Sequence, residues 1–153
     1  MNAVAVAPVT ARDPRIQPLL TALTVELAGG GYTAEQTFGY SVEQLERAAV
    51  YLVAAAVAGQ TVGVAGIELQ DGEFAELKRF YVQPSFRGRG VADALILALL
   101  DHARDHGRSI VRLETGDQQR AALGFYRRHG FGEVDRFGPY LDSETSICLQ
   151  RSL

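Results

Sequence analysis

The chain has 153 residues, of which 47% are hydrophobic and 22% are charged, as is typical of one soluble domain spanning residues 1–153. Its 15 basic and 18 acidic residues give a net charge of −3, which argues against the concentrated positive field that nucleic-acid binding needs. The single cysteine, Cys148, excludes an intrachain disulfide and a cysteine-rich zinc site, and we predict no metal site. We see no secretion signal and no apolar run long enough to span a membrane, so we expect a cytoplasmic protein that binds no membrane.

Hydrophobic periodicity and turn signals predict elements in the order β-α-α-β-β-β-α-β-α-β-β. Ser41 with Gln44 is a capping-box pattern that begins a helix, and Asp71-Gly72 is a hairpin turn between two strands. The predicted strands cover 3–9, 51–57, 62–69, 73–82, 110–114, 131–134 and 143–150, and the helices cover 18–28, 41–48, 91–106 and 118–129. This order predicts an α/β fold in which helices pack on a mixed sheet.

The strand at 73–82 is predicted to place alternate side chains on opposite faces of the sheet. One face then carries Glu76, Lys78, Phe80 and Val82, and the other carries Leu77, Arg79 and Tyr81.

The segment Arg87–Ala92, between this strand and the longest helix, has the features of an anion site. Gly88 and Gly90 let the backbone approach a ligand without a clash at Cβ. Three features favour a phosphate or pyrophosphate here: the unpaired amides at the start of the following helix, the dipole of that helix, and the two arginines of the segment. A P-loop is excluded because no Gly-Lys-Ser/Thr follows, and Asp93 occupies the third glycine position of a dinucleotide fingerprint. Taken alone, a solvated glycine-rich turn fits the segment equally well.

Two motifs resemble those of the GNAT superfamily of acetyl-CoA-dependent N-acetyltransferases, and the resemblance covers nearly the whole chain. The family signature Arg/Gln-x-x-Gly-x-Gly/Ala is matched by Arg87, Gly90 and Ala92. A second family pattern, Asn-x-x-Ala-x-x-Leu-Tyr-x-x-x-Gly-Phe, is matched by Gln119, Ala122, Phe125, Tyr126, Gly130 and Phe131, with Gln in place of Asn and Phe in place of Leu. The two motifs together, at the right separation and in the right elements, are far more specific than either alone.

The resemblance implies that acetyl-CoA, used as a co-substrate without a metal, lies in a V-shaped opening between the strands at 73–82 and 110–114. Backbone groups of Phe80–Val82 pair with its pantetheine arm, and backbone amides of Gly88–Ala92 hold its pyrophosphate. The implied cofactor contacts are Phe80, Tyr81, Val82, Arg87, Gly88, Arg89, Gly90, Val91, Ala92, Gln119 and Tyr126.

The resemblance also implies that an amine attacks the thioester directly. Tyr126 matches the family's tyrosine, which protonates the departing thiolate, and the Val82 amide polarises the carbonyl. Glu76 is the candidate base, at a strand position that some members use. Two alternatives remain open: a core tyrosine for Tyr126, and an ion-paired strand residue for Glu76, with Lys78 and Arg79 nearby in sequence.

The acceptor is expected to be a primary amine of a small molecule, an amino acid derivative or a protein, and the net charge weakly favours a cationic one. Tyr32, Phe38 and Tyr140 are the predicted walls of its site, and core packing explains each of them equally well. A non-catalytic acyl-CoA-binding module is the alternative function. A homodimer is compatible with the family, since many members pair through terminal strands.

Overall fold

The structure is a computed structural model that describes residues 3–153, with only the backbone described at residues 34 and 35. It contains a seven-stranded mixed sheet with helices on both faces. The strands are β1 (Val4–Val9), β2 (Tyr51–Val57), β3 (Gln60–Leu69), β4 (Phe74–Val82), β5 (Ile110–Gly116), β6 (Gly132–Val134) and β7 (Ser146–Ser152). The helices are α1 (Gln17–Gly29), α2 (Ala34–Thr37), α3 (Val42–Arg47), α4 (Val91–Asp105) and α5 (Arg120–Arg128). The strand order is β1-β2-β3-β4-β5-β7-β6, in which β4 and β5 are parallel and the other neighbours are antiparallel. The predicted α/β class with a mixed sheet is confirmed.

The helix α2 is the element that the predicted order lacks. It begins with a capping box in which the Thr33 side chain accepts from the Gln36 amide and the Gln36 side chain accepts from the Thr33 amide. Ser41 and Gln44 form the same reciprocal pair at the start of α3, as predicted. The same signature was therefore present in the sequence at Thr33, between the helices predicted at 18–28 and 41–48.

Helices on each face cover a separate apolar cluster. The stripe of α4 that packs on β2 and β3 includes Leu95, Ile96, Leu99 and Leu100, all fully buried. Burial of each such side chain stabilises the fold by about 1.5–3 kcal/mol. On the opposite face, α1 and α3 pack their leucines against β2 and β3 in a second cluster. Among the described residues, no helix is long and apolar enough to cross a membrane.

A bulge in β4 overturns the predicted alternation of its side chains. The register of β4 with β3 shifts by one residue between Lys78 and Tyr81, and Arg79 adopts a left-handed backbone with φ 52°. Beyond the bulge the faces exchange, because one extra residue on a strand reverses the side on which the following side chains lie. Phe80 and Val82 consequently join the α4 cluster, whereas Tyr81 joins the α1 cluster. The prediction that Phe80 and Val82 share a face with Glu76 is wrong for this reason.

The strands β4 and β5 pair only at their beginnings. Phe74–Glu76 pairs with Ile110–Arg112, and the two strands then diverge. The edge of β4 beyond Glu76 is therefore left without a strand partner on the β5 side, which opens the sheet into a cleft.

Candidate active site

A cleft of about 510 Å³ lies between the diverging ends of β4 and β5. We call one group of its lining residues the glycine end (Gly88, Gly90 and Ala92) and another the aromatic end (Phe38, Tyr40 and Tyr140). Glu114 of β5 and Tyr126 of α5 line the same cleft. In the part of the chain that the structure describes, no group of three or more His, Cys, Asp or Glu could hold a metal ion.

Backbone forms the ligand-facing surface at the glycine end. Gly88 and Gly90 have φ values of 76° and 82°, a region that residues with a Cβ rarely adopt. A Cβ built at either position would meet no atom within 4 Å, so this side of the loop is open. Gly90 is the N-cap of α4, and the amides of the first turn that follows have no acceptor within the helix. This arrangement suits a compact anion.

Neither arginine of the loop, Arg87 or Arg89, brings an unpaired positive charge into the cleft. Arg87 lines the cleft, but its guanidinium contacts Glu26 at 2.9 Å and donates to the Val82 carbonyl at 2.8 Å, so it joins α1 to β4. Arg89 is exposed and lies over the Phe86 ring, and it does not line the cleft.

The other predicted cofactor contacts come together at the cleft with one exception. The Val91 side chain is buried in the α4 cluster, so only its backbone can contribute. The predicted residues that line the cleft are Phe80, Tyr81, Val82, Arg87, Gly88, Gly90, Ala92, Gln119 and Tyr126. Arg128 of α5, which the prediction did not include, also lines it, three residues after Phe125, another lining residue on the same face of the helix.

Tyr126 is held in place by aromatic packing. Its ring lies edge-on to Phe80 and Phe131, with centroids 6.1 and 5.8 Å apart, and only 8% of the residue is exposed. Its hydroxyl forms no hydrogen bond with any of the described residues. Burial and the negative charge of Glu114 raise the pKa of this phenol above its ordinary value, so it stays protonated at neutral pH.

Glu76 is buried beside the cleft and does not line it. Its carboxylate accepts from Lys78 Nζ at 2.7 Å, from the Tyr140 hydroxyl at 2.6 Å and from Gln70 Nε2 at 2.9 Å. The structure thus shows the ion-paired strand residue that was the alternative reading. A carboxylate with three donors is poorly placed to take a proton from a substrate.

Glu114 has the properties that a general base needs. Its carboxylate lines the cleft and accepts a hydrogen bond from the Ser146 hydroxyl. Burial raises its pKa to about 7, and the negative charge of Glu76 adds to the shift. Glu114 was not among the predicted site residues; the available signal was an acidic residue at the end of the strand predicted at 110–114.

All three predicted wall residues, Tyr32, Phe38 and Tyr140, line the cleft, and each also packs or bonds within the protein. Phe38 and Tyr140 meet edge-on with centroids 5.0 Å apart. The Tyr32 hydroxyl donates to Asp117 at 3.2 Å and accepts from the Gln118 amide at 2.7 Å. Lining and packing are therefore properties of the same side chains.

The profile of the acetyltransferase (GNAT) family matches residues 21–131. A protein of Azospirillum brasilense named IAA acetyltransferase is 31% identical over 147 residues, which cover 94% of this chain and 96% of that protein. A structure of a candidate acyl-CoA N-acyltransferase from Klebsiella pneumoniae superposes with a TM-score of 0.86 at 28% identity, covering 98% and 97% of the two chains. The PaiA N-acetyltransferase of Thermoplasma acidophilum, solved in complex with coenzyme A, shares the fold with a TM-score of 0.79 at 18% identity over 99% of each chain.

Proposed function

The chain belongs to the GNAT family of acetyltransferases, and we propose that it transfers the acetyl group of acetyl-CoA directly to a primary amine within a ternary complex. The observation that carries this proposal is the cleft between β4 and β5. It joins an anion-binding glycine end to a carboxylate with a pKa of about 7 and to a buried, protonated tyrosine.

Acetyl-CoA suits the glycine end in charge and shape. The open glycines and the first amides of α4 would hold its pyrophosphate, as a helix N-terminus holds an anion. The unpaired edge of β4 from Leu77 to Val82 offers backbone groups to the amides of the pantetheine arm, in the manner of an added strand. Gln119 and Arg128 lie on the α5 side of the same path.

The chemistry requires an ammonium nitrogen to lose two protons, one before and one after its attack, and the leaving thiolate to gain one. The amine nitrogen attacks the thioester carbonyl, an N–C bond forms and the C–S bond breaks. Glu114 takes one proton from the ammonium form of the amine, directly or through a water, and releases it to solvent after turnover. The Tyr126 hydroxyl protonates the thiolate that leaves, and the second proton, which the nitrogen loses after the attack, passes through water to restore the tyrosine. The Val82 amide is the candidate donor to the carbonyl oxygen. We place the base at Glu114 rather than Glu76, because the Glu76 carboxylate is occupied by three donors.

Glu76 has a positioning role in this proposal. It binds both Lys78 and Tyr140, and Tyr140 lines the aromatic end. The Glu76 carboxylate therefore holds Tyr140, a proposed wall of the acceptor site, in position.

A turnover screen tests the proposed function. Release of the CoA thiol from acetyl-CoA is followed with amino acids, polyamines, aminoglycosides and peptides, and each acetylated product is identified by mass. We expect thiol release to depend on an amine and to match the acetylated amine one to one. If the chain binds acetyl-CoA but no amine in the panel triggers thiol release, a non-catalytic acyl-CoA-binding module is the better description.

A further inference from the structure

Arg79 places a positive charge without a counter-charge in the cleft. Its guanidinium donates through Nη2 to the Leu20 carbonyl at 2.9 Å and to the Thr24 hydroxyl at 2.7 Å, and both acceptors are neutral. Its Nε is buried without a hydrogen-bond partner, and no described acidic residue forms an ion pair with it. Burial lowers the pKa of Arg79, which reflects the cost of holding this charge without a carboxylate.

The other basic side chains of the cleft are either paired with a carboxylate or exposed. Lys78 is paired with Glu76 at 2.7 Å, and Arg87 is paired with Glu26 at 2.9 Å. Arg128 has no ion pair among the described residues either, but it is exposed and lies on α5. Arg79 therefore combines partial burial, an unpaired charge and a place in the cleft beside Lys78.

The surrounding backbone is shaped to hold this guanidinium. Arg79 has a left-handed φ of 52° at the bulge, a conformation that costs about 1–3 kcal/mol and is concentrated at functional sites. A Cβ at Gly39 would clash with Arg79 Nη1 in its present position, so the loop before α3 lies directly against the guanidinium. Two unrelated local features thus bring Arg79 to the wall of the aromatic end.

We propose that the acceptor is an amine that also carries a carboxylate, as an amino acid does, and that Arg79 receives this carboxylate. The inference rests on the proposed acetyl transfer and narrows its acceptor. A zwitterion fits two cleft groups that form no ion pair with any described residue: its ammonium meets the Glu114 carboxylate, and its carboxylate meets the Arg79 guanidinium. The charge of Arg79 therefore favours an acceptor with a carboxylate, whereas the net charge of −3 weakly favours a cationic acceptor.

Matched pairs of amines test the proposal. For each amino acid, kcat/KM is measured for the free acid and for its carboxamide, which keeps the amine and the side chain but removes the charge. We expect the wild-type enzyme to prefer the acid over the amide by at least about 10-fold, a charge-assisted contact of about 1.4 kcal/mol. Arg79→Met should reduce this ratio to about one by lowering kcat/KM for the acid and leaving the amide nearly unchanged.

Two further variants separate charge recognition from folding. Arg79→Lys keeps the charge and should retain part of the preference for the acid, whereas a purely structural role would make it behave like Arg79→Met. Arg104→Met removes an exposed arginine of α4 that pairs with Asp101, and it should leave the acid-to-amide ratio unchanged. Binding of CoA by each variant, measured by calorimetry, reports whether the cleft is intact.

The outcomes are distinguishable from failure of the proposed function. Equal rates with acids and amides, or a polyamine as the best acceptor, would overturn the carboxylate inference while leaving the acetyltransferase in place. An acid-to-amide ratio that Arg79→Met does not change would overturn the role of Arg79. If no amine of either kind releases thiol, the proposed transfer itself fails.

Discussion

The two ends of the cleft are built from different materials. At the glycine end, the ligand-facing groups are backbone amides and open glycines within one short segment and the helix that follows it. At the aromatic end, the groups are side chains brought together from distant parts of the chain, such as Lys78 and Tyr140, 62 residues apart. The difference teaches that one end is specified by local conformation and the other by tertiary packing. We expect the first to accept a common cofactor and the second to set the choice of acceptor.

The largest effect is expected at the glycine end. Gly90→Asp should weaken CoA binding by about 10³-fold, because like charges placed together cost several kcal/mol. Gly59→Asp is the matched control: Gly59 has a similar φ of 80°, is equally open and lies in the β2–β3 turn. Calorimetry with CoA should show weak binding for the first variant only. Equal affinities in the two variants would remove the anion site from the glycine end.

The proposed base, Glu114, lines the cleft and should control the pH dependence. Because Glu114 acts as its carboxylate and its pKa is about 7, kcat/KM should rise as the pH increases through 7. Glu114→Gln should lower kcat/KM by about 10²- to 10³-fold and remove that rise. Glu133→Gln, an exposed carboxylate of β6, should leave the profile unchanged. A profile that keeps its rise near pH 7 in Glu114→Gln would assign the titration to another group.

Tyr126→Phe should lower kcat by about 10²-fold while leaving the affinity for CoA nearly intact, because the aromatic packing survives and only the proton donor is lost. Tyr51→Phe, which lies on β2 stacked on His102, is the control. An unchanged turnover number in Tyr126→Phe would leave this residue with a packing role only.

The glycine end was readable from the sequence because its determinants are contiguous. Through the family resemblance that they carry, the segment Arg87–Ala92 and the pattern around Tyr126 implied a cleft between the strands at 73–82 and 110–114, which the structure contains, and acetyl-CoA as its expected ligand. The aromatic end was predicted less accurately. The bulge at Arg79 reverses the faces on which the side chains after it lie, and the sequence carries no clear local signal for this bulge. Glu114 could be identified only once its burial was known, since its pKa depends on the tertiary environment.

The smallest effect concerns stability and reports on Glu114 without any substrate. Its pKa of about 7 in the folded state exceeds the ordinary 4.5, so the folded state favours the protonated form. This stabilisation is present below about pH 4.5 and is lost as the pH rises through 7. The free energy of unfolding of wild type relative to Glu114→Gln should therefore fall by up to about 3 kcal/mol between pH 5 and pH 8. Denaturant titrations at both pH values measure this, and a constant difference would contradict the burial of the charge.

The central claim is that both ends of the cleft are occupied together and that the acetyl group passes directly between them. Initial velocities with acetyl-CoA and the best amine of the panel, each varied at several fixed levels of the other, test it most directly. Direct transfer predicts intersecting lines in double-reciprocal plots and no change in protein mass after incubation with acetyl-CoA alone. Parallel lines together with an acetylated protein would contradict it and show that the acetyl group first passes to the enzyme.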